Sequence, residues 1–441
     1  MSSLRRLWIV VCAAACQWGS SEPVPLAEAV NTSAESPPAA PSPPLTPVEA
    51  CVQGVGAPGA QFAPDQAVFG VVRDVGPNKV GPDPSLVHLG WPAQDTSTSI
   101  SIEWITDPGT LASRVEWGEG DALDQHTAAT SFTVGADAPY RVHEVRLCGV
   151  LKPGTTYSYR VGGDGHWSPT YAFTTPGSPG TFDTFSVAIS GDSRGSYENW
   201  SHVVTAMAAH DPDVYVFGGD MVDRGGNAAE WLAWWAATGD TFARKVMVPA
   251  HGNHEMLSAN YFAQFSLPNN EQWFAIDYGN ATLVSLNDTV TRADDLTVAE
   301  PAYMRQIFSA SKAAWRIAVH HRAAYSACDA HGSTMPVREA FAPVFDELGV
   351  DLVFAGHNHL YERSKPLRGD QVVEPGKGTV YYVTGGAGAP LYAETHPEPF
   401  TASVAIAEHY LIAEFGPTSV TITARDLSDN VLDTVTLPRV R

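Results

Sequence analysis

The sequence is poor in positive charge, in cysteine and in long apolar runs. Its 26 lysine and arginine residues are outnumbered by 48 aspartates and glutamates, which gives a net charge of −22. An acidic surface repels the phosphate backbone, so no nucleic acid is expected as a main partner. Five cysteines in 441 residues are too few for a disulfide-stapled scaffold. No apolar run has the length of a transmembrane helix, and the composition predicts a globular protein of two or three domains.

The first residues have the pattern of an export signal. Arg5 and Arg6 precede the apolar run 7–16, which ends in small residues and is too short to span a bilayer. The end of this run is also similar to a bacterial lipoprotein cleavage site, which would leave Cys16 as a lipid-bearing N-terminus. We therefore predict an exported protein that is secreted, periplasmic or anchored as a lipoprotein, with residues 1–19 as its signal.

Two segments of different composition follow the signal. Residues 20–64 are rich in proline, alanine and serine and bury too little apolar surface to fold, so a semi-extended tether is expected. Residues 65–178 alternate apolar and polar side chains in short stretches between glycine, proline and aspartate turns, as in 99–104 and 156–161. Strands of period two at this spacing predict an all-β sandwich that serves as a spacer or packing partner.

Three cysteines remain after export. An oxidising compartment permits one disulfide, and we predict that it joins Cys51 to Cys148, because both precede the proposed catalytic domain. Cys328 is then the unpaired thiol. The alternative is three unpaired, buried cysteines.

Residues 179–441 have the pattern of an α/β catalytic domain. The apolar segments 185–189, 214–217 and 245–248 are predicted strands, and the helices 200–210 and 228–237 are predicted between them. This β-α-β-α-β order requires right-handed crossovers, which place the ends of the strands on one edge of the sheet. Ligand and metal sites collect at that edge in open α/β folds.

Polar motifs follow these three predicted strands and two further ones, at 315–319 and 350–355. They are Gly191-Asp192, Gly219-Asp220, Gly252-Asn253-His254-Glu255, His320-His321 and Gly356-His357-Asn358-His359. The first four motifs alone are more typical of a turn or of core histidines. Gly356-His357-Asn358-His359 is the strongest single motif, because histidines two apart after a strand rarely serve packing alone. Together, at the ends of strands, they predict a metal centre. Their oxygen and nitrogen donors, without thiolates, suit Fe, Zn or Mn.

The ligands divide into two sets if Asp220 bridges two ions. Asp192 and His359 complete the first set. The second set consists of Asn253, His357 and either His320 or His321. Two cations held in this way bind phosphate oxygens and lower the pKa of the water between them, so that a bridging hydroxide can attack phosphorus in line.

These motifs resemble those of the calcineurin-like metallophosphoesterases. The later ones resemble the purple acid phosphatase branch, in which the ligand histidine lies four residues before a tyrosine, here Tyr325. The resemblance thus implies that His321 rather than His320 is the ligand. The segment 151–161 is similar to the end of a fibronectin type III domain. The implied fold is a four-layer α/β/β/α sandwich, preceded by an all-β domain of that type.

The chain departs from this branch at two positions. Asp223 stands three residues after Asp220, where purple acid phosphatases have the tyrosine that binds ferric iron and gives the colour. Two residues after Asp192, where other metallophosphoesterases have a histidine, the sequence has Arg194. The first metal is therefore left with three evident ligands.

The segment around Asp220 instead resembles the serine/threonine phosphatase pattern. By that resemblance, Asp223 orients His254 as the general acid, and Arg224 holds the substrate phosphate. The alternative for Asp223 and Arg224 is a surface ion pair. His331, near the place of the purple branch's own acid, competes with His254 and is a candidate substrate contact, as is Arg194. Glu255 is expected to support a histidine.

The predicted activity is an exported, metal-dependent phosphatase that hydrolyses phosphomonoesters through a hydroxide bridging two metal ions. A small phosphoester is the expected substrate. One alternative is a phosphodiesterase that acts on nucleotides or phospholipid head groups. The other is a cell-surface binding protein whose metal site has decayed, which the missing first-site histidine favours.

Overall fold

The computed structural model describes Cys51, the backbone of residues 67–69, and residues 82–440 except 112, 183 and 291. The predicted export signal lies outside the described residues, as does the predicted tether apart from Cys51. Within the described ranges, no helix is both long enough and apolar enough to cross a membrane.

The described residues of the N-terminal domain form ten short strands. They are β1 (Ala67–Phe69), β2 (Ser85–Gly90), β3 (Ile100–Thr106), β4 (Arg114–Glu119), β5 (Gln125–Ala128), β6 (Thr130–Val134), β7 (Arg141–Leu147), β8 (Thr156–Gly163), β9 (His166–Trp167) and β10 (Tyr171–Thr174). One sheet has the order β1-β6-β7-β3-β2, and the other has the order β10-β8-β4-β5 with β9 beside β8. The predicted all-β domain is confirmed.

Alternating side chains fill the core of this β-sandwich. On β3, Ile102 and Trp104 are fully buried, and Tyr159 on β8 is buried from the other sheet. Cys148, which directly follows β7, is joined to Cys51 as predicted. Cys328 is buried and is not in a disulfide.

The catalytic domain contains two further sheets. The strands of the first are β11 (Phe185–Ser190), β12 (Val214–Phe217), β13 (Met247–Pro249), β23 (His409–Phe415), β24 (Ser419–Asp426) and β25 (Val431–Pro438), in the order β13-β12-β11-β23-β24-β25. The second contains β14 (Phe274–Tyr278), β15 (Ala281–Ser285), β16 (Trp315–Arg322), β17 (Leu352–Gly356), β18 (Tyr361–Ser364), β21 (Val380–Thr384) and β22 (Thr401–Ala405), in the order β14-β15-β16-β17-β21-β18-β22. The short pair β19 (Leu367–Arg368) and β20 (Gln371–Val372) stands apart.

Within the described part of the catalytic domain, five α-helices accompany the two sheets. They are α1 (Tyr197–Ala208), α2 (Ala228–Ala236), α3 (Ala259–Gln264), α4 (Glu300–Ala310), which continues a π-helical turn at Asp295–Ala299, and α5 (Met335–Leu348). Side-chain oxygens cap α1 and α2 at Ser196 and Asn227. Gly349 ends α5 with φ 62°, a left-handed conformation that glycine adopts without strain.

The second sheet separates two apolar layers. On β16, Ile317 and Val319 pack into the same cluster as Leu411 and Val216 of the first sheet. Ala318, on the opposite face, joins the cluster formed by the helices α4 and α5. This alternation is the period of two expected of strands, and it places the two sheets face to face between helices. The predicted four-layer α/β/β/α sandwich is therefore confirmed.

The β-sandwich packs directly on the catalytic domain within one structural unit. The amide of Leu89 donates to the carbonyl of Phe242 at 2.9 Å. The hydroxyl of Tyr159, from the other sheet, donates to the carbonyl of Ala243 at 2.7 Å. Of the two roles predicted for this domain, the structure shows the packing partner.

Buried charges also cross this boundary. Arg146, whose side chain is 3% exposed, contacts Glu144 within the β-sandwich and lies 3.2 Å from Oε1 of Glu271 in the catalytic domain. Burial lowers the pKa of Arg146, but the two carboxylates outweigh burial and raise it. Ser266 donates to Glu144 at 2.8 Å and completes the contact. The charge of Arg146 in the β-sandwich is thus neutralised by one carboxylate from each domain.

Candidate metal centre

Five strands deliver the predicted ligands to one place. In the first sheet, β11, β12 and β13 are parallel neighbours, and in the second sheet β16 and β17 are parallel neighbours. The carboxyl ends of parallel strands lie on one edge of a sheet. The motifs that follow these strands therefore meet between the two sheets.

One half of the centre is formed by Asp220, His321, His357 and Asn253. Ligand atoms of the first three lie within 4.8 Å of one another. Nε2 of His321 is 3.2 Å from Oδ1 of Asp220 and 3.1 Å from the amide oxygen of Asn253. Nδ1 of His321 donates to the carbonyl of Gly218 at 2.7 Å. Nε2 therefore faces two oxygens, and a cation is the group that fits between these three atoms.

The charge balance of this half supports the same conclusion. Burial lowers the pKa of His321, but the Asp220 carboxylate outweighs it and raises the pKa to about 10. The pKa of Asp220 is well below its usual range; burial opposes this shift, and His321 drives it. The pair thus holds a positive charge next to a buried carboxylate, where a metal ion can replace the proton.

The other half is formed by Asp192 and His359. Nδ1 of His359 donates to the carbonyl of Pro390 at 2.7 Å. Its Nε2 is buried, has no hydrogen-bond partner among the described residues, and lies 3.5 Å from Oδ1 of Asp192. A buried ring nitrogen aimed at a carboxylate without a partner of its own is expected of a metal ligand. The donors of both halves fit the two predicted cations.

Three of these residues have unusual backbone conformations. Asp192, Asp220 and His357 have φ values of 61°, 56° and 67°. Left-handed backbone is uncommon for residues other than glycine, and it is found at sites where the surrounding structure enforces it. The amide of His357 donates to both carboxylate oxygens of Asp192 at 2.9 Å, which joins the two sheets at the centre.

Glu255 holds two of the ligand loops together. Its buried carboxylate accepts hydrogen bonds from the amides of Gly252 at 2.7 Å, Asp220 at 2.9 Å and Met221 at 2.8 Å. Burial and the Asp220 charge raise the pKa of Glu255 to about 7, while these backbone donors favour its charged form. The sequence predicted that Glu255 supports a histidine; the structure shows that it supports backbone amides instead.

His254 and Asp223 lie together, but their contact differs from the predicted one. Nδ1 of His254 donates to the backbone carbonyl of Asp223 at 2.7 Å, and the nearest carboxylate oxygen of Asp223 is 3.7 Å away. Nε2 of His254 lies 3.9 Å from Oδ2 of Asp220, and its ring is partly exposed. The backbone of Asp223 therefore orients this histidine at the edge of the centre.

Arg224 is occupied by another partner. Its Nε and Nη2 both donate to Oε1 of Glu230 at 3.0 Å, and its side chain is 69% exposed. This is the surface ion pair that was the alternative to a phosphate clamp, although with Glu230 rather than Asp223. Arg194 lies closer to the ligands, with Nε 3.5 Å from Oδ2 of Asp220 and Nη1 3.4 Å from Oδ1 of Asp223.

His331 and Tyr392 line the other side of the centre. The ring of His331 lies 4.4 Å from the ring of His357, and its Nε2 is 3.0 Å from the hydroxyl of Tyr392. The ring of Tyr392 stacks on His359 at 4.3 Å. The sequence did not predict Tyr392 as a site residue, because its loop carries none of the predicted metal ligands. His320 is turned away, with its ring against Phe341.

The tryptophans of α2 stabilise the centre by packing. Trp231, Trp234 and Trp235 are buried, as predicted for a packing helix. The indole of Trp234 donates to Oγ of Ser193 at 2.7 Å, and Ser193 donates to the carbonyl of Met221 at 3.1 Å. The helix is thereby connected to the loops that carry Asp192 and Asp220.

Comparison with known protein families also indicates a metal-dependent phosphoesterase. Residues 84–175 match the family described as "Purple acid Phosphatase, N-terminal domain", and residues 185–361 match "Calcineurin-like phosphoesterase". Fold and donors define a binuclear, metal-dependent phosphoester hydrolase. The chain contains a purple acid phosphatase N-terminal domain and a calcineurin-like phosphoesterase domain, and the relatives that match it include purple acid phosphatases. The family implies a dimetal centre.

Three relatives illustrate the similarity. Purple acid phosphatase 21 of Arabidopsis thaliana is 28% identical over 306 residues, which cover 64% of this chain and 67% of the relative. Acid phosphatase type 7 of Danio rerio is 25% identical over 367 residues, covering 70% and 79%. The structure of purple acid phosphatase PPD1 from yellow lupin seeds has a TM-score of 0.72 at 21% identity and covers 81% of this chain and 75% of its own.

Proposed function

We propose that this protein is an exported phosphatase that hydrolyses phosphomonoesters at a dimetal centre. The observation that carries the proposal is the position of Asp220, whose Oδ1 faces His321 and whose Oδ2 faces Arg194 and His254. The carbonyl of Asp220 also accepts a hydrogen bond from the amide of Ser193, the residue after Asp192, at 3.1 Å. Asp220 therefore adjoins the Asp192 loop as well as His321, which suits a bridging ligand. The proposed ligands are Asp192, Asp220 and His359 for the first metal, and Asp220, Asn253, His321 and His357 for the second. When bound, the cations would bind the phosphate and lower the pKa of the attacking water.

The side chains around the centre have separate proposed roles. His254 and His331 stand on different sides of it, and either can hold a proton for the leaving alkoxide. The carbonyl of Asp223 orients His254, and the hydroxyl of Tyr392 orients His331. Arg194 is positioned to bind a phosphate oxygen. We propose Fe, Zn or Mn as the metals, because all protein donors are oxygen or nitrogen.

The test is Asp220→Ala and Asp220→Asn in metal-reconstituted protein, with p-nitrophenyl phosphate and bis(p-nitrophenyl) phosphate as substrates. Wild type is expected to hydrolyse the monoester faster, and both variants are expected to lose this activity while their circular dichroism is unchanged. Undiminished turnover by either variant contradicts the proposal. Faster diester hydrolysis by the wild type would instead support a phosphodiesterase. If the reconstituted wild type holds fewer than one metal ion per chain and hydrolyses neither substrate, the result would support the alternative of a binding protein with a decayed metal site.

The proposal of export rests on the N-terminal pattern together with the disulfide between Cys51 and Cys148. Mass spectrometry of protein from fractionated cells tests it. A mature chain that begins at Cys16 with an attached lipid supports the lipoprotein, and a chain that begins a few residues later without a lipid supports secretion. Recovery of the uncleaved chain from the cytoplasm contradicts both.

A further inference from the structure

Strand β16 ends in His320, His321 and Arg322, and an irregularity in the strand determines where these side chains lie. Val319 pairs with Phe354 of β17, whereas Arg322 pairs with Gly356, so the register shifts by one residue between them. A β-bulge of this kind redirects side chains and is frequent beside active sites. His320 packs in the core and His321 faces the metal centre. Arg322 follows as a partly exposed cation directly beside a ligand.

One edge of the Arg322 guanidinium is anchored by Asp288. Nη1 donates to the carbonyl of Asp288 at 2.8 Å, to its Oδ1 at 3.2 Å and to the hydroxyl of Thr289 at 3.2 Å. The backbone amide of Arg322 donates to Oδ2 of the same carboxylate. The side chain of Asp288 is fully buried. This anchor fixes the position of the guanidinium, because a buried carboxylate with several donors has little freedom to move.

The other edge of the guanidinium is available. Across the part of the chain that the structure describes, no hydrogen-bond partner is found for Nε or Nη2 of Arg322, and the side chain is 26% exposed. Nε and one Nη of an arginine form the fork that binds two oxygens of a phosphate. Arg224, the arginine predicted for that role, already uses the same two donors on Glu230.

The register of β16 places Arg322 beside the metal centre. Arg322 directly follows the proposed ligand His321, and its partner on β17 is Gly356, which directly precedes the proposed ligand His357. The ring of the candidate acid His331 lies 4.4 Å from the ring of His357. Arg322 therefore adjoins two proposed ligands of the second metal.

We propose that Arg322 binds non-bridging oxygens of the substrate phosphate through Nε and Nη2, and that this contact favours dianionic monoesters over monoanionic diesters. The inference rests on the proposed function. A monoester phosphate presents three oxygens that share about two negative charges near neutral pH. In a diester, one of these oxygens carries a second organic group. A two-donor fork beside two cations is complementary to the dianion and leaves less room for the second group.

The test compares Arg322→Gln and Arg322→Lys with Arg305→Gln, a matched control in which a surface arginine paired with Glu347 is changed. The metal-loaded proteins are assayed for KM and kcat with p-nitrophenyl phosphate and bis(p-nitrophenyl) phosphate, and for inhibition by inorganic phosphate. Metal content and thermal midpoint are measured for each protein, which separates loss of binding from loss of structure.

For Arg322→Gln we expect phosphate inhibition to weaken by about 10-fold to 100-fold, the effect of losing a hydrogen bond to a charged group. Diester turnover is expected to change far less, and metal content to stay constant. Arg322→Lys keeps the charge but not the two-donor fork, so its inhibition by phosphate is expected to be intermediate between that of Arg322→Gln and that of wild type. The control is expected to match wild type.

Phosphate inhibition within two-fold of wild type in both Arg322 variants would overturn the inference, as would an equal loss for monoester and diester. These outcomes leave the proposed function intact as long as the wild type hydrolyses monoesters. If the wild type binds phosphate without hydrolysing monoesters, the proposed function fails. Weaker phosphate binding by the Arg322 variants would in that case still support the contact.

Discussion

Replacing Arg146 by methionine should strongly destabilise the contact between the β-sandwich and the catalytic domain. The side chain of Arg146 is 3% exposed, and its partners Glu144 and Glu271 are 8% and 3% exposed. Methionine fills a similar volume but leaves two buried carboxylates without this countercharge. Removing one partner of a buried ion pair costs about 3–5 kcal/mol, a large part of the roughly 5–15 kcal/mol that stabilises a typical domain.

The loss of folding stability in Arg146→Met is expected to depend on pH in one direction. Without Arg146, burial disfavours the charged forms of the glutamates and raises their pKa in the folded state above the unfolded value. The variant is therefore expected to lose the most stability above the raised pKa and to recover part of it at lower pH, where the carboxylates bind protons. Adding Glu271→Gln should relieve part of the deficit, because one of the uncompensated charges is removed.

The assay is urea unfolding followed by tryptophan fluorescence at pH 7.5 and pH 5.5. The matched control is Arg305→Met, since Arg305 pairs with Glu347 on the surface and exposed pairs contribute about 0–1 kcal/mol. A loss below about 1 kcal/mol for Arg146→Met would refute the reasoning. So would a double variant no more stable than the single one at pH 7.5, because the loss could not then come from unbalanced charge.

Two further predictions concern the metal centre and acid stability. Glu255→Gln removes one of the two oxygens that hold the amides of Asp220, Met221 and Gly252, so metal affinity measured by calorimetric titration should fall about 10-fold to 100-fold. Burial, with a smaller contribution from Arg141, lowers the pKa of His143 to about 3. Because unfolded histidine binds a proton near pH 6.5, stability should fall as the pH drops below that value, by at most about 1.4 kcal/mol per pH unit for this group. His143→Gln should reduce that slope in urea unfolding between pH 7.5 and pH 5.

Each of these predictions has a control and a contradicting result. For Glu255, the control is Glu347→Gln on the surface, and an unchanged metal affinity would show that the amides keep their positions without the carboxylate. For His143, the control is His126→Gln on the exposed strand β5. A pH slope equal to that of wild type would mean that His143 is not held neutral in the folded protein.

The positions of the motifs could be predicted because their signals are local. A short apolar run followed by glycine and a polar residue predicts a strand end, and the predicted segment 214–217 is the strand Val214–Phe217 of the structure. Parallel neighbours then bring such ends together. The proposed ligands of the first metal, Asp192 and His359, could be predicted in the same way, because each follows a strand or the turn after it.

The partners of long side chains could not be predicted, because they depend on packing between distant segments. Arg224 pairs with Glu230, whereas the guanidinium of Arg322 is anchored by Asp288 at one end and has its Nε and Nη2 available. The sequence shows for Arg322 only a position after a ligand. Tyr392 reaches the centre from a loop without a motif. The buried charges around Arg146 join residues that are up to 125 positions apart, and no local pattern indicates such a contact.

The left-handed backbone at Asp192, Asp220 and His357 restricts how these positions can change during evolution. Aspartate, asparagine and histidine are the side chains most tolerant of this conformation apart from glycine. They are also metal ligands of the kind used here. An alanine at such a position loses the ligand and strains the turn, whereas asparagine keeps the turn. A lineage that gave up hydrolysis but kept its fold would therefore be expected to show asparagine or glycine at these positions, and this chain retains two aspartates and a histidine.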